Sequence, residues 1–133
     1  MPPPAKITAD FDNNQPIYLQ IIDRILLAIA KGELPPGSKV SPVRELAADF
    51  KVNPNTMQKS LSKLEEEGVL YTERTSGRYV TSDTALIETI KKALPHKATA
   101  AYIAQMQEYG IALSLIPTYV QGHIEAKEAQ SGS

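Results

Sequence analysis

The stretch from Pro54 to Lys63 reads Pro-Asn-Thr-Met-Gln-Lys-Ser-Leu-Ser-Lys, and its polar members are of the types that read a DNA duplex. Asn55 and Gln58 carry amides that can pair bidentately with adenine. Thr56 carries a methyl group that can meet the methyl of thymine, and Lys59 and Lys63 can neutralise phosphates. These residues share a surface only if the segment is helical. Met57, Leu61 and Leu64 then form an inner apolar face, leaving Asn55, Thr56, Gln58, Lys59, Ser62 and Lys63 outside. Asn53 followed by Pro54 starts such a helix with a capping side chain and then a residue suited to the first helical position, and Gly68 stops it. Asn53 is therefore a cap first, whether or not it also touches a ligand.

Neighbouring elements must hold that face outward. Ser41-Pro42 repeats the start signal, and Val43, Leu46, Ala47 and Phe50 follow at i, i+3, i+4 and i+7, so a short helix capped by the Ser41 hydroxyl is expected, with Lys51-Val52 as the turn. Upstream, Pro16 suits the first turn of a helix whose apolar stripe is Tyr18, Ile21, Ile22, Ile25, Leu26 and Ile29, with Leu19 and Leu27 broadening it toward a second neighbour. Gly32 ends that helix, Leu34-Pro35-Pro36-Gly37 is a non-helical connector, and Lys39-Val40 fits one short strand. Downstream, Val69 to Glu73 and Arg78 to Thr81 are β-prone segments around Arg74-Thr75-Ser76-Gly77, with Gly77 able to take the positive φ of the turn. Arg74 and Arg78 flank the tip, within reach of a phosphate or a minor groove. The order is that of a helix-turn-helix followed by a wing.

That order, with Val43-Arg44-Glu45-Leu46-Ala47, Asn53-Pro54-Asn55-Thr56, Leu64-Glu65-Glu66-Glu67-Gly68-Val69-Leu70 and Ser76-Gly77-Arg78-Tyr79-Val80, resembles the winged-helix domain of GntR-family bacterial transcription regulators. The resemblance spans about residues 8–81; Pro16 to Ile21 looks like the family's opening helix and Gly32 to Gly37 like its connector. It implies a homodimer on double-stranded operator DNA, and a repressor. It also implies DNA-binding roles for Arg44 at the start of the second helix, for Asn53, Asn55 and Thr56 at the start of the recognition helix, for Gln58 and Lys59 on its flank, and for Ser76 and Gly77 at the wing tip. Three features depart from the family pattern. Ser41-Pro42 reverses its proline and serine, Pro54 stands where many relatives carry arginine, and Thr75 stands where the wing's first glycine is usual.

Beyond Thr81 the pattern becomes helical, with Ser82 or Asp83 as cap and Leu86, Ile87, Ile90 and Leu94 on one face. Pro95 means a kink or a break; Ala98, Ala101, Tyr102, Gln105, Met106 and Tyr109 continue the stripe as far as Gly110, which favours the kink. A last helix is expected from about Ser114, with Pro117 in its first turn and Ile116, Tyr119, Val120 and Ile124 inward, fraying from Glu128. So short a pair of helices cannot enclose a ligand pocket together with a core of its own, but it can present apolar stripes for a second copy to cover. It looks like the small accessory domain of the YtrA-type subfamily. Tyr102, Tyr109 and Tyr119 are candidates for a small-molecule effector site between protomers, against a plainer reading as core or interface residues.

Composition narrows the function classes. Net charge is only −1, whereas a strongly basic domain is the usual footprint of nucleic-acid binding, yet Lys39 to Lys63 holds five cations against two anions, so a positive excess is local to that stretch. No apolar run approaches the roughly 20 residues of a membrane span, no signal-peptide pattern opens the chain, and there is no cysteine; a cytoplasmic protein without membrane contact is expected. His96 and His123 lack a second ligand at metal spacing, and neither a nucleophile with an adjacent base nor a Gly-rich phosphate loop is present. Neither an enzyme nor a cofactor or metal site is expected. The fold class expected is mainly α with a small β-wing: a tail over 1–15, a winged helix-turn-helix over 16–81, a two-helix dimerisation module over 82–128 and a disordered tail over 129–133. The function expected is that of a sequence-specific transcriptional regulator, the alternative being a protein-interaction adaptor on the same scaffold.

Overall fold

The computed structural model describes residues 15–132. The expected N-terminal tail lies, but for Gln15, outside the described residues. Pro16 precedes helix α1 (Ile17–Ala30), and its carbonyl accepts the N–H groups of Leu19 and Gln20. The helix buries Ile21, Ile22, Ile25, Ala28 and Ile29. Leu19 and Leu27, expected to meet a second neighbour, stay exposed. After the Leu34–Gly37 connector, α2 (Val43–Phe50) and α3 (Pro54–Glu66) form the helix-turn-helix, and β1 (Leu70–Glu73) and β2 (Gly77–Val80) form an antiparallel wing. Lys39 and Val40 do not make a strand of their own. They pair with the free edge of β2 through a bridge between Lys39 and Tyr79 and a hydrogen bond from Val40 N–H to the Arg78 carbonyl.

Two local departures have simple causes. Ser41 does not cap α2: the first helical hydrogen bond, Leu46 N–H to the Pro42 carbonyl, makes Pro42 the cap, and proline has no side-chain acceptor. Ser41, one residue too early, is buried instead. Lys51, which closes α2, has φ 58° and ψ 47°. A left-handed cap of this kind is ordinarily glycine's. The end of α3 uses glycine for this purpose: Gly68 has φ 78° and turns the chain into the wing.

The described residues divide into two compact units, one ending at Lys92 and one beginning at Ala93. Phe50, Met57, Leu61, Leu64, Leu70 and Val80 centre the first core. Leu86, Ile87 and Ile90, which the sequence assigns to the C-terminal module, pack against that core as well. They lie in the first turns of α4 (Thr84–Glu108), which Asp83 caps by accepting the N–H groups of Ala85 and Leu86. Pro95 sits inside α4, so the chain takes the continuous course through the proline rather than the break.

In the second unit a short 3₁₀ turn (Leu113–Leu115) leads into α5 (Ile116–Ser131), with Pro117 in its first turn. Met106 and Ile116 are buried, while Tyr119, Val120 and Ile124, expected to point inward, are exposed. The expected fraying beyond Glu128 is also corrected: α5 continues to Ser131, whose hydroxyl donates to the Lys127 carbonyl. Among the described residues no helix is long and apolar enough to cross a membrane.

Candidate nucleic-acid interface

The outer face of α3 is built from its fixed inner face. Met57, Ser60, Leu61 and Leu64 are each 0% exposed, so the helix cannot rotate without unburying them. Ser60, a polar member of this row, donates its hydroxyl to the Tyr18 carbonyl at 2.8 Å and ties α3 to the start of α1. It escaped the sequence reading although it lies three residues after Met57, in phase with the buried stripe.

With that face anchored, Asn55, Gln58 and Lys59 are exposed and Thr56 is half-buried. Asn53 performs the capping role expected of it, its side-chain oxygen accepting the Asn55 N–H at 2.7 Å. The Gln58 amide donates to Ser62 Oγ at 2.9 Å, which orients an otherwise mobile side chain along the helix surface. Lys59 Nζ stands 3.8 Å above the ring centroid of Tyr18, a cation–π contact that limits the ammonium's range while leaving it on the surface. Arg44 on α2 and Lys51 in the turn are exposed. Lys63 pairs with Glu66 at 3.6 Å on an open surface.

In the wing, cross-strand register sets Tyr71 opposite Tyr79 and Thr72 opposite Arg78. The tyrosine rings stack at 5.7 Å between centroids. Gly77 has φ 125°, as the turn requires. A Cβ there would also come within 3.1 Å of Lys39 Cε, so the lysine side chain lies against the wing tip. Lys39, Pro42, Ser76, Gly77 and Arg78 line one shallow groove there. Nothing local in the sequence announced Lys39, because its place depends on a pairing forty residues away with Tyr79.

Arg78 is the expected contact that the structure turns inward. Its Nε donates to Glu65 Oε1 at 2.6 Å, and its side chain is only 17% exposed. The Thr72 hydroxyl donates to the same carboxylate oxygen. Partial burial on its own raises the Glu65 carboxyl, but hydrogen bonds from Arg78 and Thr72 and the arginine's charge outweigh it and hold the group below its ordinary value.

In the C-terminal unit, Tyr119 lines a surface groove with Thr118, Gly122, His123 and Ala126, and neither Tyr102 nor Tyr109 is part of that lining. The described residues hold no cluster of metal-ligating side chains.

A short helix, a tight turn, a second helix with an exposed polar face and a two-stranded wing together define a winged helix-turn-helix of the kind used by transcriptional regulators. Residues 17–80 match the model for bacterial regulatory proteins of the gntR family. The chain is 35% identical over 116 residues to the uncharacterised HTH-type transcriptional regulator YhcF of Bacillus subtilis, covering 84% of this chain and 96% of that protein. It is 40% identical over 84 residues to the transcriptional repressor YtrA of the same organism, covering 62% of this chain and 65% of that one. A solved GntR-family regulator from Listeria monocytogenes superposes with a TM-score of 0.72 at 37% identity, over 84% of this chain and 98% of the other. The DNA-binding domain of AraR, solved in complex with an operator, superposes with a TM-score of 0.50 at 26% identity, over 56% of this chain and 94% of that domain. The chain belongs to the GntR family of transcriptional regulators. Its relatives are regulators and not enzymes.

Proposed function

We propose that the chain is a cytoplasmic repressor that binds an approximately palindromic operator as a homodimer, with residues 16–81 reading DNA and the helices beyond them pairing two protomers. The observation that carries the reading is the exposed polar row Asn55, Gln58 and Lys59, held outward by an inner face that is 0% exposed. The operator-bound AraR domain and the repressor name of YtrA support it.

In this reading α3 enters the major groove. Asn55, Thr56 and Gln58 discriminate bases, Arg44 and Lys59 hold phosphates, and Ser76 and Gly77 approach the backbone through the wing tip. Asn53 contributes by fixing the first turn of α3. The exposed side chains of Tyr119, Val120 and Ile124 become the contact surface for the second protomer.

The test is binding to duplex DNA from upstream of the chain's own coding region, followed over a range of salt concentrations. Arg44→Ala is expected to weaken binding to all sequences and lower the salt slope by about 1. Gln58→Ala is expected to cost about 1–3 kcal/mol on the preferred sequence only. Unchanged specific binding in both variants refutes the assignment of contacts; a wild-type chain with no salt-sensitive specific complex supports the adaptor alternative.

A further inference from the structure

Arg78 lies on the expected DNA-reading wing, yet its Nε is spent on a carboxylate of α3. Cross-strand register places Thr72 of β1 directly opposite Arg78 of β2. Both side chains therefore leave the hairpin on the same face. They converge on a single atom, Glu65 Oε1, which accepts the Thr72 hydroxyl and the Arg78 Nε–H. One oxygen near the end of α3 is thus tied to both strands of the wing. Glu65 and Arg78 side chains are 29% and 17% exposed, against 51% and 71% for the ordinary surface pair Lys63 and Glu66. The shielded pair is accordingly screened less by salt.

We propose that Glu65, with Thr72 and Arg78, is a clamp that sets the angle of the wing against the recognition helix, and that Arg78 is a positioning residue rather than a phosphate contact. The inference rests on the DNA-binding reading. The two carboxylates that end α3 are each matched by a cation, Glu66 by Lys63 on the open surface and Glu65 by Arg78 on the inner side of the wing. The clamp fixes the distance between the two places where the chain meets DNA, the outer face of α3 and the wing tip at Ser76 and Gly77. Thr75 at that tip lacks the conformational range of glycine, so the wing depends more on being held in place.

The experiment uses the full chain and a duplex that the wild-type protein selects from a randomised pool. Failure of the DNA-binding reading shows in the wild type, which then selects no sequence and overturns the inference with it. Given a selected duplex, Glu65→Ala, Arg78→Ala and the double variant are each expected to weaken specific binding by a similar factor, roughly three- to tenfold. The double variant is expected to be no worse than either single one, the signature of a coupled pair. The salt slope of Arg78→Ala stays at the wild-type value, and Thr72→Val, which changes no charge, weakens binding in the same direction. A DNA-free measurement accompanies these: the Arg78 Nε–H resonance should be shifted and slow to exchange in the wild type and should return to the free-arginine position in Glu65→Ala. The proposal is overturned if Arg78→Ala lowers the salt slope by about 1 while Glu65→Ala tightens binding. That result makes Arg78 a phosphate contact and Glu65 a mere repulsive neighbour. A free-arginine resonance in the wild type overturns it equally.

Discussion

Phe50, Met57, Leu61 and Leu64 in the winged-helix unit are each no more than 1% exposed, whereas Tyr109, Leu113, Leu115, Tyr119, Val120 and Ile124 in the C-terminal unit range from 39% to 67%. The first unit folds three helices and a hairpin around one closed set of apolar side chains. The second has Met106 and Ile116 as its buried hydrophobics, and its helices are held by their own backbone hydrogen bonds, by the Pro117 start and by back-bonded hydroxyls such as Ser131. Apolar burial is thus divided unevenly along the chain. The winged-helix unit is complete by itself, while the C-terminal helices carry apolar surface that gains free energy only when something covers it.

The contrast breaks most sharply on Phe50. Phe50→Ala is expected to cost about 3–5 kcal/mol in denaturant unfolding, because a 1%-exposed aromatic leaves both lost burial and a cavity. Ile124→Ala, at a side chain 43% exposed in the single chain, should cost well under about 1 kcal/mol in the monomer. Comparable losses at the two sites would mean that the second unit is as self-contained as the first.

Next in size is the effect on assembly. Ile124→Asp is expected to bring the mass in light scattering down from two chains to one, with the winged-helix unfolding transition unmoved. An unaltered dimer would take Ile124 out of the interface, and a monomeric wild type at micromolar concentration would remove the dimer itself.

The smallest effect concerns Glu65. Its folded-state carboxyl is more acidic than that of an ordinary glutamate, so its contribution to stability is complete above the unfolded value of about 4.3 and is lost as pH falls through the lower folded value. The stability difference between wild type and Glu65→Gln should therefore be level at neutral pH and shrink below about pH 4, with a total of about 0–1 kcal/mol for a pair still in touch with water. A difference that grows on acidification contradicts the hydrogen-bonded geometry at Glu65.

Legibility in the sequence followed the range of the interaction that decides each feature. Helix periodicity, the Asn53-Pro54 start and the stop at Gly68 are encoded within a turn or two, and the structure reproduces them. The Ser41 cap failed over a single residue, because Pro42 supplies the first helical carbonyl and no side-chain acceptor. Ser60 is in phase with the buried stripe, but a hydroxyl is at home there only because of its partner, the Tyr18 carbonyl, 42 residues away. The engagement of Arg78 by Glu65 and the packing of Lys39 on Gly77 depend on strand register and on the β2 edge, so residue types alone point Arg78 toward solvent and place Lys39 in a short strand and a locally cationic stretch, with no sign of the wing tip it meets. In the C-terminal unit the apolar stripe was readable, but its direction was not. Periodicity marks which residues share a face of α5 but not what that face meets, and Tyr119, Val120 and Ile124 are exposed where the stripe pointed inward.

In the proposed homodimer, two copies of the α3 face read one duplex. Hydroxyl-radical footprinting of the wild-type chain on DNA from upstream of its own coding region tests it most directly. Two protected stretches are expected on one face of the duplex, centred about 10–10.5 base pairs or a multiple apart and lost together as salt is raised. Protection that is uniform along the DNA, or absent at low salt, would contradict it.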